Sequence, residues 1–211
     1  MPLSPPVERE VTHLRDIVLR GYSRADGMID VDAHLADTKS YDFANLDRGE
    51  IRAGTPLHGM KMRMTVDDSM TIVAFEASTE YGPYSICPQA APNFSRLAGL
   101  TIARGFLKAA AERVGGAQGC THLRELLQQM ATVAYQTHYS HRMRRATAAA
   151  EQSGREMTTE EIEASIARRA GDRPANLNTC LAYDTANSPV VKRRWPAFYT
   201  GADREDVAAD S

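Results

Sequence analysis

His58, Cys87, Cys120 and His122 are the residues of this chain whose types and placement can do chemistry. Two of the three cysteines stand where an extended segment hands over to a helix. Cys87 follows a strand, and Cys120 opens Cys120-Thr121-His122-Leu123. Helix N-termini carry partial positive charge and free N–H groups. A thiol there is biased toward thiolate, the form that binds metal or attacks carbon. Two sulfur and two nitrogen donors suit zinc, closed as a tetrahedron or with one position open. The spacing is not that of a zinc finger, and three small buried hydrophobes are the plainer reading of the cysteines.

Other residues compete for a role. His34 and Asp37, on or just beyond a strand, read as a general base with its orienting carboxylate, or as support for a metal ligand. An exposed strand face with a turn aspartate is the plainer reading of both. His13 on the first strand can face the same sheet surface as His34, and with Arg15 and Arg20, whose guanidinium groups hold a carboxylate bidentately, this side can bind an acid; ordinary polar positions on a solvent face are the plainer reading. Tyr22, Tyr41 and Phe43 can line an aromatic pocket or pack in a core. His138 and His141 are three apart on a helix, but Arg142, Arg144 and Arg145 beside them favour a solvated basic face. Asp67-Asp68 reads as a turn, and Met60, Met62 and Met64 as core filling.

The elements that must position these groups are strands first, helices second. Val11–Tyr22 is rich in Val, Ile and Leu and ends at Arg24-Ala25-Asp26-Gly27, a hairpin turn. Met28–Thr38 alternates, with Ile29, Val31, Ala33 and Leu35 on one face and Asp30, Asp32 and His34 on the other. Asp37–Gly54 is polar and reads as a long loop. Leu57–Val66 places His58, Met60, Met62, Met64 and Val66 on one face. Thr71–Thr79 returns with Val73, Phe75 and Ala77 inward. Two successive hairpins imply a small antiparallel sheet of about four strands with one face to cover.

The second half supplies the cover. After a loop from Tyr81 to Pro92, a short helix spans Asn93–Leu97. Ala103–Val114 is helical by period, with Phe106, Leu107, Ala110 and Val114 on one side, and Gly115-Gly116 breaks it. A longer helix from Thr121 carries Leu123, Leu126, Leu127, Met130, Val133 and Ala134 and runs on toward Ala150. After a break at Glu151–Glu156, another helix starts at Thr159 and reaches about Ala170. The tail from Arg173 reads as extended and held by its aromatics, and Ala202–Ser211 as frayed. The expected organisation is an α+β core domain over 1–150 and a helical and extended appendage over 151–211.

Bulk properties exclude several classes. The formal net charge of −2 gives the 211-residue chain no electrostatic pull toward nucleic acid or an anionic membrane. No apolar run approaches the roughly 18 residues of a membrane span. Met1–Arg9 lacks the apolar core of a signal peptide. Three cysteines do not form a disulfide framework and favour thiol or metal chemistry in a reducing compartment, so a bacterial cytoplasm is expected.

Two resemblances add to this. Pro56-Leu57-His58-Gly59-Met60-Lys61-Met62, then Cys87 with Ala90, Ala91 and Ser95, then Cys120-Thr121-His122-Leu123, resembles the NifU-like iron–sulfur scaffold fold. That family runs strand, strand, cysteine, helices, cysteine. Its first cysteine falls near Pro56 and its aspartate near His58, so this chain keeps two of the usual three thiols. A cluster needs three or four thiolates, and a mixed His/Cys set fits a single ion instead. The whole chain is also similar to the bacterial domain-of-unknown-function 2889 family. The matching pieces include Gly21-Tyr22, His34-Leu35-Ala36-Asp37-Thr38-Lys39, Tyr41-Asp42-Phe43, Thr65-Val66-Asp67-Asp68 and Gly119-Cys120-Thr121-His122-Leu123. This second resemblance implies a companion of catabolic enzymes for aromatic or alicyclic acids.

Together these lead to an expectation of a metal-dependent lyase or hydrolase acting on a small cyclic carboxylate or its thioester. Its ligands would be His58, Cys87, Cys120 and His122, holding one ion, zinc ahead of iron. His122, His34 and Asp37 would do acid–base work, and Arg20, Tyr22 and Tyr41 would hold substrate. The alternatives are a metal or iron–sulfur carrier, an accessory subunit of a larger catabolic enzyme, and a cofactorless lyase. The expected partners are a small-molecule substrate, a partner enzyme subunit, or further copies of the chain in an oligomer.

Overall fold

The computed structural model describes residues 2–154, 157–159, 161–162, 173–174 and 176–201. It divides into two compact units, Met1–His141 and Arg142–Ser211.

The first unit is α+β. Strands β1 (His13–Ser23), β2 (Ile29–Lys39), β5 (His58–Val66) and β6 (Ile72–Tyr81) form one antiparallel sheet in the order β1-β2-β5-β6. The β1–β2 turn closes with the Arg24 N–H donating to the Met28 carbonyl at 2.9 Å, and Gly27 takes the left-handed φ of 87° that favours glycine there. Alternation then sorts the faces. Ile29, Val31, Ala33 and Leu35 of β2 and Met60, Met62, Met64 and Val66 of β5 are all buried in one core with Phe94, Leu123 and Met130. The methionine stripe is core, as its period implies.

Helices cover that face. They are α1 (Phe106–Val114) and α2 (Thr121–Gln152), preceded by a 3-10 segment over Cys87–Leu97. Leu123, Leu126, Leu127, Met130 and Ala134 of α2 are buried. Where α2 crosses β1 the approach is close. A Cβ on Gly21 would stand 1.9 Å from Thr137 Oγ1, so only glycine fits beneath the helix there. His138 of α2 donates from Nε2 to the Asp68 carbonyl at 3.0 Å and so joins the helix to the β5–β6 turn.

Several expectations need correction. The polar stretch after β2 is not all loop. It contains a hairpin, β3 (Phe43–Asn45) with β4 (Gly49–Ile51), nucleated by Asn45, whose side chain accepts from the Asp47 and Arg48 N–H groups. Val73 points outward with 44% of its surface exposed. Val66 pairs with Ile72 and Thr65 with Ala74, so Val73 is the extra residue of a bulge and loses the inward phase. Leu107 is also exposed, because the buried row of α1 is Phe106, Ala110 and Val114, four residues apart. The segment after β6 turns as a 3-10 helix from Cys87, earlier than Asn93, with Pro88 in its first turn.

In the second unit the tail is helical in part rather than extended. It holds a 3-10 turn at Leu181–Tyr183, α3 (Pro189–Arg194) and a 3-10 turn at Pro196–Phe198. Ser188 caps α3, its hydroxyl accepting from the Val190 and Val191 N–H groups. Tyr183 and Trp195 pack with ring centroids 5.7 Å apart. The helix expected from Thr159 does start there, with Thr158 as its N-cap. The Glu161 N–H donates to Thr158 Oγ1 while Glu161 Oε2 accepts from the Thr158 N–H, a reciprocal capping box. Its continuation past 162 and the acidic end from 202 lie outside the described residues.

Candidate functional site

The apolar inner row of β2 ends in a carboxylate. Ile29, Val31, Ala33 and Leu35 point inward, and Asp37 is the next position of the same phase. Register then builds a polar row across three strands. Arg15 of β1 lies opposite Asp37, and Asp37 lies opposite His58 of β5. The chain between β2 and β5 closes at this point, because the Leu57 N–H donates to the Asp37 carbonyl at 2.8 Å. That bond delivers His58 to its place.

Asp37 is fully buried. Its Oδ1 accepts from Arg15 Nε at 2.7 Å, with His13 Nε2 at 3.3 Å. Its Oδ2 accepts from Arg15 Nη2 at 2.8 Å and from His58 Nδ1 at 2.9 Å. A carboxylate offers about four lone-pair positions, and here each has a neighbour. Burial alone would raise the Asp37 carboxyl, but the hydrogen bonds and charge of Arg15, joined by His58 and His13, outweigh it and hold the group below the ordinary carboxylate range. Arg15 also reaches Glu125 of α2 through Nη1 at 2.7 Å, tying the sheet to the helix beside the site.

His58 is held in one tautomer. An ionised carboxylate only accepts, so Nδ1 carries the proton and Nε2 keeps a lone pair. Burial lowers the affinity of His58 for a second proton, and the charge of nearby His122 lowers it further. Asp37 opposes both and does not win, so His58 is neutral at neutral pH.

The start of α2 brings the remaining groups. A Cβ on Gly119 would stand 1.8 Å from the Val114 carbonyl, so glycine lets the chain double back past the end of α1. Cys120 follows, its carbonyl accepting the first helical bond from Arg124. The His122 ring lies 3.9 Å from the His58 ring, centroid to centroid, at an interplanar angle of 33°. Cys120 Sγ lies 3.8 Å from His122 Nδ1. Donor atoms of Asp37, His58 and His122 fall within 4.8 Å of one another, and among the described residues no other group of three such side chains does.

The residues singled out in the sequence are thus sorted by place. His58, His122 and Asp37 come together, with Cys120 beside His122. Cys87 does not join that group of three. It stands at the same end of the sheet: the β5–β6 ladder ends at Gly59 opposite Tyr81, and a Cβ on Gly82 would lie 3.2 Å from Cys87 Sγ. His34 and Asp37, three apart on a strand, occupy opposite faces. His34 lines an outer trough of about 640 Å³ with Arg20, Asp32, Lys61 and Arg63. His13 and Arg15 therefore share the Asp37 face, and Arg20 does not. Tyr22 pairs with Asp30 at one end of β2, whereas Tyr41 follows the other end, so the two do not share a site. Tyr41 is half exposed, edge-on to Phe43. Cys180 is exposed in the second unit.

His13, Arg15 and Glu125 are the members that the sequence reading did not place beside Asp37, although it read Arg15 as a carboxylate binder. Arg15 was readable from parity, two residues from His13 and opposite the inward Asp37. Glu125 carries no such signal.

A thiol, two imidazoles and an anchored carboxylate can hold a metal ion or move protons. No helix among the described residues is long and apolar enough to cross a membrane. No curated protein and no solved structure matches the chain. Residues 13–136 match the family described as "Protein of unknown function (DUF2889)"; they are more than half of the chain, take in every residue of the polar cluster, and make the chain a member of that family.

Proposed function

We propose that this end of the sheet is the metal-dependent catalytic site of a lyase or hydrolase acting on a small aromatic or alicyclic carboxylate or its thioester. The supporting observation is the buried Asp37 carboxylate, which accepts a hydrogen bond from His58 Nδ1 and leaves the Nε2 lone pair free to ligate. A carboxylate behind an imidazole is the usual support of a histidine ligand. Asp37 itself is engaged by Arg15 and the imidazoles, which suits it to orient rather than to ligate. His58, His122 and Cys120 are then the proposed ligands. The 3.8 Å between Cys120 Sγ and His122 Nδ1 is close to the roughly 3.6 Å that separates sulfur and nitrogen on one tetrahedral zinc. Cys87 is the candidate fourth ligand from the same end of the sheet.

When bound, zinc would polarise a substrate carbonyl or lower the pKa of a water. The chain's own groups set the rest. Arg15 fixes Asp37, Asp37 fixes His58, and the α2 start fixes His122 and Cys120. His13, whose side chain is 38% exposed beside Asp37, is the accessible imidazole for proton transfer. We place the protein in a bacterial cytoplasm on its free thiols.

A second reading is a cofactorless lyase. The neutral, carboxylate-oriented His58 favours it, since that is the state a general base needs. The NifU-like order of strand, strand, cysteine, helix, cysteine keeps an iron–sulfur carrier as a third, with the shortage of thiols against it. Elemental analysis of purified protein separates them. The metal reading expects about one zinc per chain, lost in His58→Ala and in Cys120→Ser. Metal-free wild type that keeps its activity in chelator would favour the cofactorless reading. Iron with acid-labile sulfide would favour the carrier.

A further inference from the structure

The two edges of the four-stranded sheet are finished differently. At the β6 edge, the Ile72 N–H donates to the Leu100 carbonyl at 2.8 Å and the Gly99 N–H donates to the Ile72 carbonyl at 2.7 Å, so passing chain covers its start. Strand β1 has no such cover: among the described residues, its backbone bonds only to β2. It runs eleven residues in unbroken register and contains no proline, lysine or bulge; of the devices that keep an edge single it has only charges, the outward Asp16 and Arg20 and the inward Arg15, which Asp37 neutralises.

The outward residues of β1 are Leu14, Asp16, Val18, Arg20 and Tyr22, all exposed. Among the described residues, Asp16 makes no ion pair or side-chain hydrogen bond within the chain; Arg20 makes none either, though it stands opposite Asp32 of β2 and adds its charge to the Arg63 grip on that carboxylate. The order apolar, acidic, apolar, basic, apolar is self-complementary about its centre.

We propose that β1 pairs antiparallel with β1 of a second copy about a two-fold axis through Val18, joining two four-stranded sheets into one continuous sheet. In that register Val18 faces Val18 of the other copy, Asp16 faces Arg20, and Leu14 faces Tyr22, each pair made twice by symmetry. On the inner face Ile17 meets Leu19. The ladder adds on the order of ten backbone hydrogen bonds. Sliding the register by two residues sets Asp16 against Val18 or Tyr22 and loses both charge pairs. The charge pattern therefore selects a copy of this chain, in this register, over an unrelated strand.

The test is the mass of the purified protein by light scattering across a dilution series. The proposal expects twice the 23.2 kDa of one chain. Asp16→Arg sets like charges opposite each other twice and should weaken dimerisation about tenfold or more. Asp16→Arg with Arg20→Asp should restore it, which a misfolded variant would not do. Val18→Cys, on the axis, should give a disulfide-linked dimer on mild oxidation that the wild type does not. A monomeric wild type at tens of micromolar would overturn the proposal, leaving the edge to another partner. A dimer indifferent to Asp16→Arg would overturn it too, by placing the interface elsewhere.

Discussion

Two arginine–aspartate pairs of nearly the same geometry lie on opposite faces of one sheet. Arg15 grips Asp37 at 2.7 and 2.8 Å on the helix-covered face. Arg63 grips Asp32 at 2.7 and 3.0 Å on the open face. The Asp37 side chain is 1% exposed and that of Asp32 34%. Beyond Arg63, Asp32 feels only the weaker charge of Arg20 across the strands. Asp37 goes on to hold His58 and to neighbour His13. Contact geometry therefore says little about role, and the number of groups that depend on a buried charge says much.

The largest expected break of the comparison is Asp37→Ala. It strands a half-buried guanidinium and frees two imidazoles, and should cost about 3 kcal/mol of unfolding free energy in urea. On the same face, Gly21→Ala drives a methyl into Thr137 and should cost about 2 kcal/mol, partly relieved when Thr137→Ala is added. Asp32→Ala should cost under about 1 kcal/mol, because solvent already screens that pair. If the two aspartate variants melt alike, the distinction between the faces is wrong.

The pH dependence sharpens the same contrast. His58 binds its proton less readily folded than unfolded, so its contribution is whole above about 6.5, the ordinary histidine value, and falls as pH drops below it. Asp37 is held below its ordinary 3.8, so its contribution is whole above that value and is lost only as pH falls further. Thermal melts should therefore decline in two steps on acidification. His58→Gln should remove the upper step and leave the lower.

Alternation made most of the sheet legible in the sequence: β2 and β5 each show clean inward phase, and the periods of α1 and α2 fix the cover. The cluster was half legible. His58 and His122 announce themselves by type, but Asp37 falls where the strand read over Met28–Thr38 and the loop read over Asp37–Gly54 overlap, so the sequence leaves its place open. Following parity one step past Leu35 puts the carboxylate inside. Val73 fails for the opposite reason, since a bulge resets parity without leaving a mark in residue type. The hairpin β3–β4 rests on one asparagine's turn geometry. Pairing of Arg15 with Glu125 depends on where α2 crosses β1, which Gly21 controls from afar.

The most direct measurement is the histidine ring nitrogen spectrum of chelator-treated protein at pH 7, before and after one equivalent of zinc. The account predicts that His58 carries its proton on Nδ1, with Nε2 unprotonated, and that zinc moves the His58 and His122 ring signals together. A His58 proton on Nε2, or ring signals untouched by zinc, would contradict it.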